Sequence, residues 1–296
     1  SADGAFDMRT QTLAAILLVV LGTAGAAAQG EIERSGGIIS DTDYNIFGQE
    51  SEPIDAPFAT DRPRTRSSVG VIPIGRFLIE AGATYTFDDE DGVEAETVAG
   101  PELLVRAGIV PRVEARLGWT GFQRVDVSTT GFEDTTDGTT DMNVGAKVSI
   151  FEKNTGAVPA MAAVVEVNIP VGDDEFSTDR ADPSLELAFD YNEIHEIYGF
   201  SGSVKVSSLE NQTNNDEYIQ TGVALSFDQR WNEEVETFVE YFTFLNSDSD
   251  IDDSHFVQGG AIFKIMPRVT IDVRAGVGLT SDSTDVFAGA GGSVSF

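Results

Sequence analysis

The feature that most constrains the fold is a strict alternation of apolar and polar residues near the end of the chain. Between Arg268 and Leu279, apolar residues occupy every second position, and charged residues, threonine and glycine fill the positions between them. Successive side chains of a β-strand point to opposite faces, so this pattern predicts a strand with one apolar face. After the polar stretch Ser281–Asp285, a second such strand runs from Val286 to Phe296. The two strands together predict a hairpin that ends on an aromatic residue.

The same alternation recurs in ten earlier segments, which brings the number of predicted strands to twelve. Most of these segments are about 10–12 residues long, as a tilted strand needs to be to cross a bilayer, whereas soluble strands average about 5–6 residues. Each has one face without charged residues, which would contact lipid, and an opposite face that carries most of the charge. The segments are 76–87, 97–109, 112–122, 140–151, 158–169, 183–191, 196–207, 217–228, 233–245 and 255–266.

The connections between the predicted strands alternate in length. The short ones are 110–111, 152–157, 192–195, 229–232 and 266–267, and the longer ones are 88–96, 123–139, 170–182, 208–216, 246–254 and 280–285. Bacterial barrels have short periplasmic turns and longer external loops, whereas a soluble sandwich has no reason to sort its loops in this way. The sequence therefore predicts an all-β fold: a transmembrane, antiparallel, up-and-down β-barrel of twelve strands with short periplasmic turns and longer acidic external loops.

The beginning of the chain has the pattern of an exported protein. Residues 8–28 resemble a secretory signal peptide, with a short basic start, the apolar core Leu13–Leu21 and the small-residue cleavage pattern Ala26–Ala28. The core is shorter than the roughly 20 residues that a transmembrane helix needs. Residues 1–7 are expected to be an upstream extension outside the fold. With residues 67–296 as the barrel, the predicted location is the outer membrane of a Gram-negative-type bacterium.

Residues 29–66 lack the strand pattern. They are polar, have little periodicity, and contain Pro53, Pro57 and Pro63, which is typical of an extended or disordered segment. The segment could hang in the periplasm or enter the barrel as a plug. The sequence alone leaves both alternatives open, and with them the question of whether the lumen is open.

The stretch from Thr60 to Gly82 carries a family resemblance. It contains Thr-Asp-Arg-Pro-Arg-Thr-Arg-Ser-Ser and, two residues later, Val-Ile-Pro-Ile-Gly-Arg-Phe-Leu-Ile-Glu-Ala-Gly. This resembles the opening pattern TDRPD-T-SP-TVP-G--Q-E-G of an outer-membrane β-barrel transporter-like family described as "putative MetA-pathway of phenol degradation". The chain departs from the pattern at Arg64, Ile72 and Arg76.

The resemblance implies a function and two kinds of partner. It implies an outer-membrane barrel that transports small-molecule solutes, with aromatic or hydrophobic solutes as candidates. It also implies that the barrel assembly machinery reads the C-terminal strand, which ends at Phe296, and that the outer face contacts outer-membrane lipid.

The overall charge and the missing residue types exclude several kinds of function. The chain has 50 acidic and 18 basic residues, a net charge of −32, which argues against binding to nucleic-acid phosphates. It contains no cysteine, which excludes disulfides and thiolate sites, and only two histidines. Ser254 and His255 are adjacent on a predicted strand, so they point to opposite faces and cannot easily pair as in a hydrolase. We expect no cofactor and no enzymatic activity.

The long loops are rich in aspartate and glutamate, which can bind divalent cations. Asp248, Asp250 and Asp252 match the start of a calcium-binding EF-hand loop, but Asp253 and Gly259 stand where that loop needs glycine and glutamate. The match is weak, and solvated loops that also resist aggregation are the alternative. Divalent bridging to anionic lipid headgroups is a third interpretation.

The charged faces of the strands predict the residues that line the lumen. Basic residues prevail on the last three and first three strands, which closure places side by side, and acidic residues prevail on strands five to nine. Such a field could orient dipolar solutes in a water-filled pore, or the charges could pair to fill a closed interior. The predicted lumen-lining residues are Arg76, Glu80, Arg106, Arg112, Glu114, Arg116, Lys147, Glu166, Glu186, Lys205, Glu236, Glu240, Lys264, Asp272 and Arg274.

Three functions remain at this point. The first is a channel or transporter for small solutes with a charged lumen. The second is a structural or adhesive barrel whose acidic external loops bind cations. The third is an outer-membrane hydrolase, although the sequence contains no nucleophile elbow, phosphate loop or HExxH motif.

Overall fold

A computed structural model describes residues 43–45, 47–51, 53–152, 158–195, 197–211 and 216–296. The upstream extension, the signal peptide and residues 29–42 of the polar segment lie outside the described residues, so those predictions stay predictions. In the described part of the chain, no helix is long and apolar enough to cross a bilayer.

The described residues form sixteen β-strands. They are β1 (Asp43–Tyr44), β2 (Glu50–Ser51), β3 (Phe77–Glu90), β4 (Val93–Val110), β5 (Val113–Trp119), β6 (Phe122–Thr129), β7 (Phe132–Thr139), β8 (Met142–Phe151), β9 (Ala160–Ile169), β10 (Pro183–His195), β11 (Tyr198–Asn211), β12 (Asp216–Arg230), β13 (Val235–Asn246), β14 (Ser254–Met266), β15 (Val269–Gly278) and β16 (Val286–Ser295).

Twelve of these strands close into a ring in which every neighbouring pair is antiparallel. The order around the ring is β3, β4, β5 and then β8 to β16, and β16 pairs with β3 to complete the circle. The closing register runs from Leu78 opposite Ser295 to Phe87 opposite Val286. The predicted fold class and the predicted number of barrel strands are both confirmed.

Two predicted external loops are wrong because the chain there continues as strand. Residues 88–96 contain only a two-residue turn, in which Asp91 and Gly92 have φ values of 52° and 82°. An Asp-Gly pair with positive φ at both positions is typical of a tight hairpin turn, so β3 and β4 extend to meet it. Residues 123–139 form the hairpin β6–β7, which pairs with the first part of the 18-residue strand β4.

The two faces of the barrel wall have opposite character. Large apolar side chains face outward, with exposed fractions of 46% for Leu117, 54% for Val165 and 58% for Val239. Side chains of opposite parity face inward, and among them the charged residues Glu80 and Arg106 are fully buried. An apolar exterior around a polar interior is what lipid requires of a membrane barrel.

The two ends of the barrel differ in their connections. At one end, here called the short-turn end, β4–β5, β10–β11, β12–β13 and β14–β15 are joined by turns of a few residues. The first and last barrel strands also meet there, because Phe77 and Phe296 exchange backbone hydrogen bonds of 3.1 and 2.8 Å and their rings stack. At the other end, the long-loop end, β9–β10, β13–β14 and β15–β16 are joined by residues 170–182, 247–253 and 279–285.

Candidate functional site

The lumen contains part of the chain that precedes the first barrel strand. Residues 58–72, here called the lumenal segment, contact the inner faces of strands on opposite sides of the ring. At one end of the segment the Phe58 amide donates to Ser295 Oγ at 3.2 Å, and at the other the Ile72 amide donates to Glu114 Oε2 at 2.9 Å. Ser295 and Glu114 both lie near the short-turn end of their strands, so the segment enters and leaves the lumen at that end.

The position of the segment bears on the predicted domain boundary. The sequence predicts a barrel over residues 67–296, whereas the first barrel strand begins at Phe77 and residues 67–72 belong to the lumenal segment. Just outside the lumen, Asp43 in β1 forms ion pairs with Arg76 at 3.1 Å and with Arg268 at 2.6 Å. These pairs hold β1 at the short-turn end.

On one side of the lumen, Asp61 lies among three basic side chains of the wall. Its Oδ2 is 2.8 Å from Arg116 Nη1, and its Oδ1 is 3.3 Å from both Arg106 Nη1 and Lys147 Nζ. The Ser68 amide and hydroxyl also donate to Asp61 Oδ1, at 2.8 and 2.7 Å. The three basic residues come from β4, β5 and β8, so Asp61 joins the lumenal segment to three strands of the wall.

Three glutamates of the wall accompany these basic residues. Glu80 accepts the Asp61 and Arg62 amides through Oε2 at 3.0 and 2.9 Å. Glu114 and Glu166 pair with the same cluster, and their ion pairs are Arg106–Glu114 at 2.7 Å and Arg116–Glu166 at 2.9 Å. The wall therefore supplies three carboxylates for its own three cations, and Asp61 is an additional anion.

On the opposite side, Arg64 of the lumenal segment enters a pocket formed by Asp228, Glu236 and Phe238, here called the guanidinium pocket. Arg64 Nε and Nη2 donate to Asp228 Oδ1 at 2.9 and 2.6 Å, and Nη2 also donates to Glu236. The Arg64 guanidinium carbon lies 4.8 Å from the centre of the Phe238 ring, within the range of a cation–π contact. Two carboxylates and an aromatic ring from β12 and β13 thus hold one guanidinium.

Further contacts extend the acidic side. The Thr65 amide donates to Glu240 Oε2 at 2.8 Å, and the Ser67 amide and hydroxyl donate to Glu186 at 2.9 and 2.6 Å. Arg66 lies 3.7 Å from Asp228, and Arg62 pairs with Glu102 and, at 3.4 Å, with Asp272.

The structure places the other predicted lumen residues in several environments. Arg274 donates to Thr84 Oγ1 at 2.8 Å inside the barrel, whereas the Lys205 side chain is 43% exposed and lies 3.9 Å from Glu166. Lys264 is half-buried. Arg112 does not join the interior cluster, because it occupies the β4–β5 turn with a φ of 68° and pairs with Glu152 at 3.4 Å.

The lumenal segment contributes site residues that the sequence pattern of the strands does not predict. Arg62, Arg64 and Arg66 were not among the predicted site residues, and neither was Asp61. One sequence feature does point to them: the alternating run Arg-x-Arg-x-Arg lies in a segment without strand pattern, and the chain has few basic residues. Asp228 lies on one of the acidic predicted strands, but nothing local in its strand marks it as a ligand of Arg64.

Four phenylalanines cover the wall on the long-loop side of Glu240. Phe242 and Phe256 stack with ring centres 4.8 Å apart, and Phe287 meets both rings edge-on. Phe244 packs against the same cluster, and together the four form what we call the aromatic wall. The Phe287 ring lies over Gly276, where an added Cβ would come within 2.2 Å of it, so glycine on the neighbouring strand makes room for the ring.

Two cavities adjoin the lumenal segment. A cavity of about 30 Å³ lies between the segment and the aromatic wall, with Thr65, Glu186, Ser203 and Phe242 in its lining. A larger one of about 420 Å³ lies at the short-turn end, between residues 69–74 and the turns that carry Arg112 and Glu152. The described lumen is therefore divided by the segment.

The predicted cation site in the long loops does not assemble. Asp248 accepts hydrogen bonds from Asn211 Nδ2 at 2.8 Å and from the Asp250 amide at 3.0 Å, as in a capped turn. Among the residues for which the structure gives positions, no three acidic or histidine side chains converge as metal ligands. The Asp248 carboxylate therefore stabilises its own loop and does not converge with Asp250 and Asp252 on one point.

Asp141 fastens loop 170–182 to the barrel wall. Its carboxylate accepts the Val171, Gly172 and Thr178 amides at 3.1, 3.0 and 2.9 Å and the Asn168 amide group at 2.8 Å. Burial raises the pKa of Asp141, but the hydrogen bonds from Thr178, Gly172 and Asn168 outweigh it and lower the pKa to about 2. The loop is thus held by an ionised carboxylate.

Comparisons with protein families and with solved structures find proteins that are similar to this chain. A family described as "Putative MetA-pathway of phenol degradation" matches residues 60–296. The crystal structure of the COG4313 outer membrane channel from Pseudomonas putida F1 superposes with a TM-score of 0.60 at 12% identity, covering 79% of this chain and 100% of that chain. The transport unit of the autotransporter AIDA-I from Escherichia coli gives a TM-score of 0.48 at 11% identity, covering 80% of this chain and 93% of that one. A comparison with curated protein sequences gives no significant match.

Proposed function

We propose, on the premise that this chain belongs to the family described as "Putative MetA-pathway of phenol degradation", that it is a channel for small solutes and that the lumenal segment closes it. The chain is an outer-membrane β-barrel, as the sequence predicted. A similar fold in a protein described as an outer membrane channel supports this function.

The observation that carries the proposal is the way in which the lumenal segment is held. Asp61 binds basic wall residues on one side of the ring, and Arg64 and Ser67 bind acidic wall residues on the other side, mostly through side chains. The segment also enters and leaves at the same end, so it can withdraw without threading through the barrel. A polar lumen filled by a removable segment, rather than by wall side chains alone, is what a gated channel needs.

The solute that fits this lumen has an apolar part. The aromatic wall offers Phe242, Phe256 and Phe287 on the long-loop side of the segment, where a solute from that end would arrive first. Flat aromatic or hydrophobic groups can pack against such rings. This feature supports the aromatic or hydrophobic solutes that the family description suggests.

Two alternatives have less support. A structural or adhesive barrel with cation-binding loops would need converging acidic ligands, and the described loops do not bring three together. A hydrolase would need a serine activated by histidine, but the His255 ring nitrogen Nδ1 lies 2.8 Å from the Tyr241 hydroxyl and the two rings stack. We therefore propose no enzymatic activity.

Cross-linking the lumenal segment to the wall tests the proposal. The chain has no cysteine, and Thr65 and Ser203 line the same small cavity, so Thr65→Cys combined with Ser203→Cys can be joined by a short bis-maleimide. We expect wild-type protein in planar bilayers to show channel openings, and the cross-linked pair to show none. Thr65→Cys alone, treated with the same reagent, is the matched control and should still open.

Two results would contradict the proposal in different ways. If the cross-linked protein conducts as well as the control, the lumenal segment is not the gate. If neither the wild type nor a variant with a weakened segment, Asp61→Asn with Arg64→Ala, conducts at all, the chain is not a channel.

A further inference from the structure

We infer that the guanidinium pocket is a binding site for a cationic solute with a guanidinium or primary ammonium group, and that Arg64 occupies this site while the channel is closed. The inference rests on the proposed function, since it assigns the kind of solute that passes. It does not require the aromatic solutes suggested above, although a cation with an apolar part would use both features.

The pocket has the composition of a cation site. Asp228 and Glu236 accept hydrogen bonds from the Arg64 guanidinium, and the Phe238 ring covers it. Carboxylates combined with an aromatic face are a common arrangement for binding organic cations. All three residues belong to the wall strands β12 and β13, so the pocket would remain when the segment that carries Arg64 withdraws.

A second observation points to a missing donor beside the pocket. Glu240 precedes the aromatic wall on β13, two residues after Phe238, and its side chain is fully buried. Its Oε2 accepts the Thr65 amide, but Oε1 has no hydrogen-bond partner among the described residues, and neither does Oε1 of the neighbouring Gln258. Buried acceptors without donors are costly, so two places for N–H groups stay unfilled while Arg64 is the occupant.

The charge balance distinguishes this side of the lumen from the other. Withdrawal of Asp61 would leave Arg106, Arg116 and Lys147 facing Glu80, Glu114 and Glu166, a set that is already balanced. Withdrawal of Arg64 and Arg66 would instead remove the cations nearest to Asp228 and Glu236, and the Lys205 side chain is directed to Glu166. Withdrawal therefore leaves the guanidinium pocket without a counter-charge, which a cationic solute would supply, whereas the basic cluster keeps its three glutamates.

The route to the pocket favours the same kind of solute. Acidic residues crowd the long-loop end, among them Asp88–Asp91, Asp173–Glu175 and Asp248–Asp253. A mouth with one sign of charge raises the local concentration of solutes of opposite sign. A cation that enters there passes the aromatic wall and then reaches Glu240 and Asp228.

Calorimetry of the Arg64→Ala protein in micelles tests the site directly, with methylguanidinium as the probe. We expect saturable binding to R64A that is at least about tenfold tighter than binding to the wild type, in which Arg64 competes. Adding Asp228→Asn to R64A should abolish the binding of methylguanidinium. The matched control is Arg180→Ala, which removes a loop arginine that forms ion pairs with three acidic residues, and it should not create a site.

The outcomes decide the inference separately from the channel proposal. Binding to R64A that does not exceed that of the wild type overturns the site, as does binding that survives Asp228→Asn. Binding without conductance would support the site and contradict the channel proposal. Conductance without binding would support the channel proposal and contradict the site.

A second measurement avoids any change at Arg64. Methylguanidinium added to the wild type in bilayers should raise the open fraction because it competes with Arg64, whereas tetramethylammonium, which has no N–H donor, should not. An equal effect of both ions, or no effect of either, would overturn the inference.

Discussion

At the scale of single residues, Asp61 is the side chain on which docking of the lumenal segment most depends. Asp61→Asn keeps the shape but removes the charge that faces Arg106, Arg116 and Lys147. Because glutamates of the wall still balance these cations, we expect a loss of only about 1–3 kcal/mol in docking free energy. Hydrogen exchange of residues 58–72 should accelerate by about tenfold or more, while the strand amides stay unchanged.

Asp55 provides the control for this substitution, because it is exposed and precedes the lumenal segment. Asp55→Asn should leave the exchange of residues 58–72 as it is in the wild type. Unchanged exchange in Asp61→Asn itself would mean that the ion pairs do not hold the segment.

A second residue, Asp141, makes the attachment of loop 170–182 depend on pH. Its pKa in the folded protein is about 2, below the usual value of 3.8, so its contribution to stability is complete above about pH 4 and is lost as the pH falls through about 2. We expect pepsin cleavage within residues 170–182 to rise over this range. Asp141→Asn cannot titrate, and the ratio of wild-type to D141N cleavage should therefore rise as the pH falls; a constant ratio would contradict the assignment.

At the scale of elements, the junction between β5 and β6 is held by a glycine that no other residue can replace easily. Gly121 has a φ of 91°, and a Cβ there would come within 2.5 Å of the Pro101 carbonyl oxygen. Gly131, in the β6–β7 turn, has a similar φ of 86° but open space around it. Gly131→Ala should lower the free energy of unfolding by about 1–2 kcal/mol, because of backbone strain alone. Gly121→Ala should lower it by at least about 1 kcal/mol more, because of the clash.

Trp119 reports on this junction, since its indole N–H donates to the Thr140 carbonyl at 3.1 Å. With Trp231 replaced by phenylalanine, urea unfolding followed by Trp119 fluorescence would measure both variants. Equal midpoints for Gly121→Ala and Gly131→Ala would show that the close approach of Pro101 has no energetic effect.

The last strand carries a prediction about assembly. The Phe296 ring stacks on Phe77 with centres 4.5 Å apart, at the closure of the ring. If assembly machinery reads this terminal aromatic residue, Phe296→Ala should reduce the amount of barrel in the outer membrane of cells by more than it reduces refolding into micelles in vitro. An equal reduction in both would assign Phe296 to stability alone.

At the scale of the whole molecule, the parts of the chain that contact lipid could be predicted from the sequence, and the parts that do not contact lipid could not. Strands that cross a bilayer need one apolar face, so alternation revealed the twelve strands of the ring. The hairpin β6–β7 projects beyond that zone, where neither face needs to be apolar, so its threonine- and aspartate-rich sequence predicts a loop although it forms strands. The lumenal segment has no apolar period, because Asp61 and Arg64 are held by ion-pair partners more than 40 residues away in sequence.

The net charge of −32 and the acidic side of the lumen together predict selectivity for cations, and ionic strength can separate their contributions. Exposed charges are screened beyond about 10 Å at 0.1 M salt and about 3 Å at 1 M, whereas buried groups are screened much less. Reversal potentials in KCl gradients should therefore show strong cation selectivity at 0.1 M and a weaker remainder at 1 M. Neutralising Asp173, Asp174 and Glu175 should lower only the cation selectivity at 0.1 M, and Asp228→Asn should lower the selectivity that remains at 1 M. Anion selectivity at 1 M would instead mean that Arg106, Arg116 and Lys147 control the open lumen.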